Sequence, residues 1–336
     1  MQSSDVVKPP VEINMTENEK MYKYLYGPVP SRRLGRSLGV DLVPHKICTY
    51  DCIYCQLGKT TNKTIERRDF VPVQDVLSEL KKKLSTGIAC DYISIAGSGE
   101  PTLHASIGEI VGKIKQITTI PVTVLTNGSL LFVPEVRESL MKADIVIPSL
   151  DAGDDHLFQY VNRPHKDIAF EQMVQGLIDF SQQFTGRIWL EVLLVSGITG
   201  MLPEVKDIAA WTNKIRIEKV QLNTVSRPAY EDFASPVDVK QLHKFAGLFS
   251  CPVDVLQNAS SSDLSGTNEA ESSDKDIMDL LARRPCTLEG ICLGLGLHPH
   301  DAAKRLKNLM DQHRISSMRV DHGLFYKISE DNKIKR

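Results

Sequence analysis

Between Leu38 and Cys55 the chain reads Leu38-Gly-Val-Asp-Leu-Val-Pro-His-Lys-Ile-Cys48-Thr-Tyr-Asp-Cys52-Ile-Tyr-Cys55. The apolar opening, Leu38–Leu42, is short and followed by proline, which reads as a buried strand. The cysteines behind it are spaced CxxxCxxC. Thiolates are the usual ligands of iron–sulfur clusters, and this close spacing lets one loop wrap three corners of a cubane. Cys48, Cys52 and Cys55 would then leave the fourth iron open to an external ligand. Structural zinc is the competing reading, but it wants four ligands, typically from paired CxxC knuckles. His45 is the one nearby addition, and it brings no partner motif. A redox pair at Cys52 and Cys55 is a further alternative.

Outward from this loop, apolar runs recur at Tyr92–Ala96, Val122–Thr126, Asp144–Pro148, Ile188–Val195 and Lys219–Thr224. Between them lie stretches of helical period: Ile107, Ile110, Val111, Ile114 and Ile117; Phe170, Met173, Leu177 and Ile178; Val239, Leu242, Phe245 and Phe249. Six strand–helix units predict an α/β fold with a parallel sheet, curved into a partial (β/α)6 barrel. A flat doubly wound sheet is the competing architecture. In either, chemistry gathers at the carboxyl ends of the strands, where the cysteine loop lies.

The ends of the chain read differently. Residues 1–20 are polar, carry Pro9-Pro10 and lack an apolar signal core, as expected of a flexible tail. Residues 257–274 hold one large apolar residue among small and acidic ones, which is linker chemistry. In 275–330, Ile277–Leu281, Leu288–Leu295 and Ala303–Met310 read as helices. Ile315–Val320 and Leu324–Ile328 read as a hairpin, completing a small winged helix-turn-helix domain. Ala303, Leu306, Met310 and His313 are expected to face inward on its third helix, with Lys304, Lys307 and Asn308 outward. The catalytic domain would thus span 21–256.

Composition narrows the class. At 42% hydrophobic and 24% charged the chain can bury a sizeable core, and a net charge of -2 neither steers it to nucleic acid nor forbids that. Seven cysteines without a visible secretory signal point to a reducing, cytoplasmic setting. No apolar run approaches membrane-spanning length.

The CxxxCxxC loop, with Tyr54 just before its third cysteine, resembles the radical S-adenosylmethionine (SAM) superfamily. That resemblance implies a [4Fe-4S] cluster on Cys48, Cys52 and Cys55 with SAM bound at the open iron. It implies reductive cleavage of SAM to a 5'-deoxyadenosyl radical, with electrons from a donor such as flavodoxin or ferredoxin. Gly97-Ser-Gly99-Glu100-Pro-Thr102 resembles the family's Gly-Gly-Glu motif, which implies that Gly99 and Glu100 contact the SAM amino group. Thr126 and Asn127 resemble the polar turn after the third strand. Ser149 and Asp151 stand where members touch the SAM ribose or carboxylate. Glu191 and Asn223 stand where ribose and adenine contacts fall. Each of these polar residues is also an ordinary turn or cap residue in its own right.

The stretch Tyr26-Gly-Pro-Val-Pro-Ser-Arg-Arg-Leu-Gly-Arg-Ser-Leu-Gly39, continuing to Gln56-Leu-Gly58, resembles iron–sulfur oxidoreductases related to the wyosine-forming tRNA enzymes. The second cysteine set of those enzymes has no counterpart, since Cys90, Cys251, Cys286 and Cys292 are scattered. A tRNA or other macromolecule is therefore one expected substrate and a small metabolite the alternative. A cluster-bearing DNA-binding regulator is a third reading. Arg32, Arg33, Arg36, Arg67, Arg68, Arg163, His165 and Arg227 fall in loops. They are suited to phosphate or carboxylate groups, or to ordinary solvated charge.

Overall fold

Strand residues alternate between two faces, and here the two faces differ in chemistry. The structure is a computed structural model describing residues 22–256, 273–320 and 323–329. The expected tail 1–20 and nearly all of the expected linker lie outside the described residues.

In chain order, β1 (Leu25–Ser31) and β2 (Gly35–Val40) form an antiparallel hairpin. A two-residue parallel pair, β3 (Ile47–Cys48) and β4 (Asn62–Lys63), braces the cysteine loop. Then come α1 (Val73–Leu84), β5 (Tyr92–Ile95), α2 (Ile107–Ile117), β6 (Val122–Thr126), α3 (Pro134–Leu140) and β7 (Ile145–Pro148). After them follow α4 (Asp155–Val161), α5 (Phe170–Gln183), β8 (Arg187–Leu194), α6 (Leu202–Thr212), β9 (Lys219–Thr224), α7 (Val239–Ala246) and β10 (Val253–Val255). The main sheet has the order β1-β2-β5-β6-β7-β8-β9-β10. Every pairing beyond the hairpin is parallel.

All six expected strands are present, and β1 and β10 extend the sheet at its edges. On the outer face Leu38, Ile93, Ile95, Val122, Val124, Val146, Leu190, Val220 and Leu222 are fully buried. They pack against Ile107, Ile110, Val111 and Ile114 of α2, Phe170, Met173 and Leu177 of α5, and Leu242 and Phe245 of α7. Each such side chain contributes roughly 1.5–3 kcal/mol of apolar burial.

The inner face is mixed, with Ser37, Ser94, Thr123, Glu191, Gln221 and Asn223 beside Ile145, Ile147 and Trp189, as the strand register dictates. A parallel sheet covered by helices on both sides would be apolar on both. The polar groups on the inner wall instead belong to a partial barrel. The β1–β2 turn folds across this wall. Its Leu34 is buried with Ile145, Ile147 and Trp189, which brings Arg33 against Glu191. Gly39 is required here, because a Cβ would sit 2.0 Å from the Tyr26 ring.

The C-terminal part comprises α8 (Asp274–Arg283), α9 (Leu288–Leu295), α10 (Pro299–Asp311) and the paired strands β11 (Ile315–Val320) and β12 (Gly323–Ile328). Ser273 and Asp276 form a capping box on α8, so this part begins just inside the span read as linker. Its core includes Ile277, Cys286, Ile291, Cys292, Leu306 and Ile328, and Val29 of β1 packs against it. The expected inward face of α10 is out of phase. Ala302, Leu306 and Leu309 are buried, whereas Met310 is 36% exposed and Ala303 and His313 face solvent. Proline at the first helical position sets the start of the helix, and the apolar stripe that meets the core runs one residue earlier than read. Leu309→Ala should therefore cost about 2–5 kcal/mol in denaturant unfolding. Met310→Ala should stay within about 0.5 kcal/mol, and the reverse order would restore the phase read from sequence. Among the described residues no helix is long and apolar enough to cross a membrane.

Candidate active site

The cysteine loop leaves the carboxyl end of β2 and is held against the loop after β5 by backbone pairing. Lys46 N donates to Ser98 O at 2.7 Å, and Glu100 N donates to Ile47 O at 3.1 Å. This approach explains Gly99, where a Cβ would lie 2.1 Å from the Ile47 carbonyl oxygen. Ser98 donates its hydroxyl to Asp41 Oδ2 at 2.6 Å.

Each of the three sulfurs meets an N–H donor. Asn127 Nδ2 reaches Cys48 Sγ at 3.6 Å, Asn162 Nδ2 reaches Cys52 Sγ at 3.6 Å, and Lys46 Nζ reaches Cys55 Sγ at 3.1 Å. Burial pushes the Cys48 thiol up to about 12 and the Cys52 thiol up as well, so a metal group must displace protons to bind. Burial alone would pull the Lys46 ammonium down, but the surrounding cysteine sulfurs reverse this and hold it up. Among the described residues no group of His, Cys, Asp or Glu is gathered for a single metal ion. Three thiols on one loop, each supplied with a donor, fit a thiolate-held cluster, whose sulfurs accept such hydrogen bonds.

Glu100 is buried at 2% exposure. Its Oε1 accepts from Thr102 N at 3.0 Å, Thr102 Oγ1 at 2.6 Å and Thr126 Oγ1 at 2.6 Å, while Oε2 accepts from Asn127 N at 2.8 Å. Burial pushes its carboxyl up, and these hydrogen bonds offset that only in part, so it stays raised. Asn127 in turn donates to Thr49 Oγ1 at 2.7 Å. Glu100, Thr126 and Asn127 thus link the loops after β5 and β6 to the cysteine loop.

Asp151 lies beneath the same loop. It accepts from Tyr54 Oη, from Asn162 Nδ2 at 3.1 Å and from Leu193 N at 2.9 Å, and burial pushes its carboxyl up to about 6. Ser149 forms a parallel bridge with Glu191. Glu191 pairs with Arg33 and accepts from Asn223 Nδ2 at 2.8 Å. The structure therefore places Gly99, Glu100, Thr126 and Asn127 against the cysteine loop on one side and Asp151 beneath it. Ser149, Glu191 and Asn223 stand along the neighbouring inner wall.

Lys46 and Asn162 were not singled out from the sequence. Lys46 carried one local signal, its place two residues after Pro44, and in the structure it adopts φ 57°, a costly conformation for a long side chain. Asn162 is 110 residues from Cys52 and carried no signal. Two open surface clefts of about 520 Å³ and 310 Å³ lie around Lys115, Asp144 and Arg187. They sit at the amino ends of the strands, away from this site.

The fold and site define a partial-barrel protein with a three-thiol loop at the carboxyl end of its sheet. A family model for the radical SAM superfamily matches residues 42–210. A UPF0026 protein of Helicobacter pylori is 35% identical, over 90% of this chain and 96% of that relative. A UPF0026 protein of Methanocaldococcus jannaschii is 33% identical, over 67% of this chain and 70% of the relative. A Brachyspira hyodysenteriae protein named GTPase Obg is 38% identical over 94% of this chain, which spans only 47% of that relative's length. The solved structure of Streptococcus suis SuiB aligns at a TM-score of 0.50 and 15% identity, over 71% of this chain and 54% of that chain, a likeness of fold. The chain belongs to the radical SAM superfamily and, within it, to the UPF0026 family.

Proposed function

We propose that this protein holds a [4Fe-4S] cluster on Cys48, Cys52 and Cys55, binds SAM beside it, and modifies a tRNA or another macromolecule. The observation that carries the reading is the set of three sulfurs on one loop, each met by a protein N–H, bordered by Glu100 and open to the polar groups of the inner wall. The bound cluster and SAM would supply reductive generation of a carbon radical able to abstract hydrogen. The protein's part is binding, orientation and exclusion of water. Glu100 Oε2 accepts one hydrogen bond from the chain and keeps acceptor capacity for an ammonium. Gly99 lets the backbone lie flat against the loop. Ser149, Asp151, Glu191 and Asn223 form the polar edge for the remainder of SAM. A one-electron donor of flavodoxin or ferredoxin type serves the cluster. The three helices and paired strands of 273–329 act as a winged helix that recruits the macromolecule.

The test is anaerobic reconstitution with iron and sulfide, followed by SAM and dithionite. The expected product is 5'-deoxyadenosine, formed faster when the chain's tRNA substrate is present. Brown protein that yields none would sink the reading, and acceleration by a metabolite pool in place of tRNA would replace the macromolecule with a small molecule.

A further inference from the structure

The inner wall of the barrel ends in a cluster of guanidinium groups that cleavage of SAM does not use. Arg32 and Arg33 come from the β1–β2 turn, Arg227 from the loop after β9, and Arg284 from the residue just after α8, a helix that packs against β1. Arg32 feels Arg33, the Glu191 carboxylate and Arg284, and Arg227 feels Arg284, the Cys286 thiol, Arg32 and Arg33. Arg33 occupies that carboxylate, and Arg227 Nη1 donates to the neutral Gln56 Oε1 at 2.9 Å. Among the described residues no salt bridge engages Arg32, Arg227 or Arg284. Burial, then the neighbouring guanidiniums, push Arg32 down to about 10 and Arg227 down as well. Both stay charged at neutral pH, so among the described residues of this cluster four guanidiniums face the Glu191 carboxylate, an excess of three positive charges.

The wall beside them is also short of partners. Gln221 is fully buried and Asn223 is 3% exposed, yet both amide atoms of Gln221, Asn223 Oδ1 and Arg33 Nε have no hydrogen-bond partner. Buried polar groups are normally satisfied, and leaving them bare costs stability. Gln56, which anchors Arg227, directly follows the third cysteine of the loop. The arginines therefore border the reaction centre.

We infer that Arg32, Arg227 and Arg284, with Arg33, form a subsite for a phosphate group of the substrate, one that is complete only when the C-terminal part is docked against β1. Phosphate fits better than a lone carboxylate because the excess charge exceeds one, and guanidinium forks match phosphate oxygens bidentately. The inference rests on the proposed function for the site's use, but binding to it is measurable without cluster chemistry. A free nucleotide or an RNA phosphate would present the same group.

The experiment uses the full chain, with inorganic pyrophosphate titrated calorimetrically at fixed ionic strength. Arg32→Gln and Arg284→Gln should each weaken pyrophosphate about tenfold or more, the loss expected of a charge-assisted hydrogen bond. Lys206→Gln, on the exposed face of α6, should leave it unchanged. SAM affinity of the reconstituted protein, measured in parallel, should be unaltered by Arg284→Gln. Competition for pyrophosphate by nucleoside triphosphates would identify a free nucleotide as the source, and competition by a tRNA pool an RNA phosphate. No pyrophosphate binding, equal binding by both arginine variants, or competition by neither pool would overturn the subsite. A chain that cleaves SAM but ignores pyrophosphate loses the subsite alone. One that binds pyrophosphate through these arginines but holds no cluster loses the proposed chemistry alone.

Discussion

Replacing Cys48, Cys52 or Cys55 with Ala is expected to abolish iron retention and all SAM cleavage. One loop supplies all three thiols, so losing one leaves two ligands, and no other cysteine is placed to substitute. Cys90 and Cys251 precede β5 and β10 at the amino ends of the strands, and Cys286 and Cys292 are buried in the C-terminal core. Anaerobically reconstituted wild type should carry about four irons per chain, as this cluster type implies. Each variant should fall close to zero while keeping its unfolding midpoint, since the thiol removed is small. Cys90→Ala and Cys251→Ala should keep both iron and activity. Iron, sulfide and 5'-deoxyadenosine assays on the set decide the matter. Stoichiometric zinc with no iron would overturn the cluster.

Replacing Glu100 with Gln should keep the cluster but weaken SAM binding by roughly 1.5–3 kcal/mol, the usual worth of a hydrogen bond to a charged group. The geometry adds a second cost. Oε1 receives three protein donors and Oε2 receives Asn127 N. Either orientation of the Gln amide therefore turns an N–H toward a donor inside a buried site. That mismatch should loosen the Thr126–Gly128 turn and the Asn127 contacts to Thr49 and Cys48. Equilibrium SAM binding on variant protein of wild-type iron content checks the prediction. Unchanged affinity at full iron content would leave Glu100 as a loop-positioning residue only.

How much of this could be read in advance varied with the range of the interaction concerned. The six parallel strands and the main helices were legible because period-two and period-3.6 patterns are local consequences of which face is buried. β1 escaped because it carries Gly27, Pro28 and Pro30, residues that argue against a central strand. It exists as an antiparallel edge, where a missing N–H is tolerated. β10 is only Val253–Val255, too short to show alternation. The phase of α10 was missed by one residue because a helix stripe read over ten residues does not say which flank meets the core.

The thiol spacing, the strand preceding it and the Gly99-Glu100 turn were determined by the sequence alone, since each is a short-range relation between residue types. Tertiary structure alone decided the partners of those groups. Arg33 meets Glu191 across 158 residues and Arg227 meets Gln56 across 171, and the sulfurs take Asn127 and Asn162 from separate loops. Such pairings depend on how the sheet curves and on where the C-terminal part docks. Curvature and docking are set by the sum of packing contacts over the whole chain, and no local pattern records that sum.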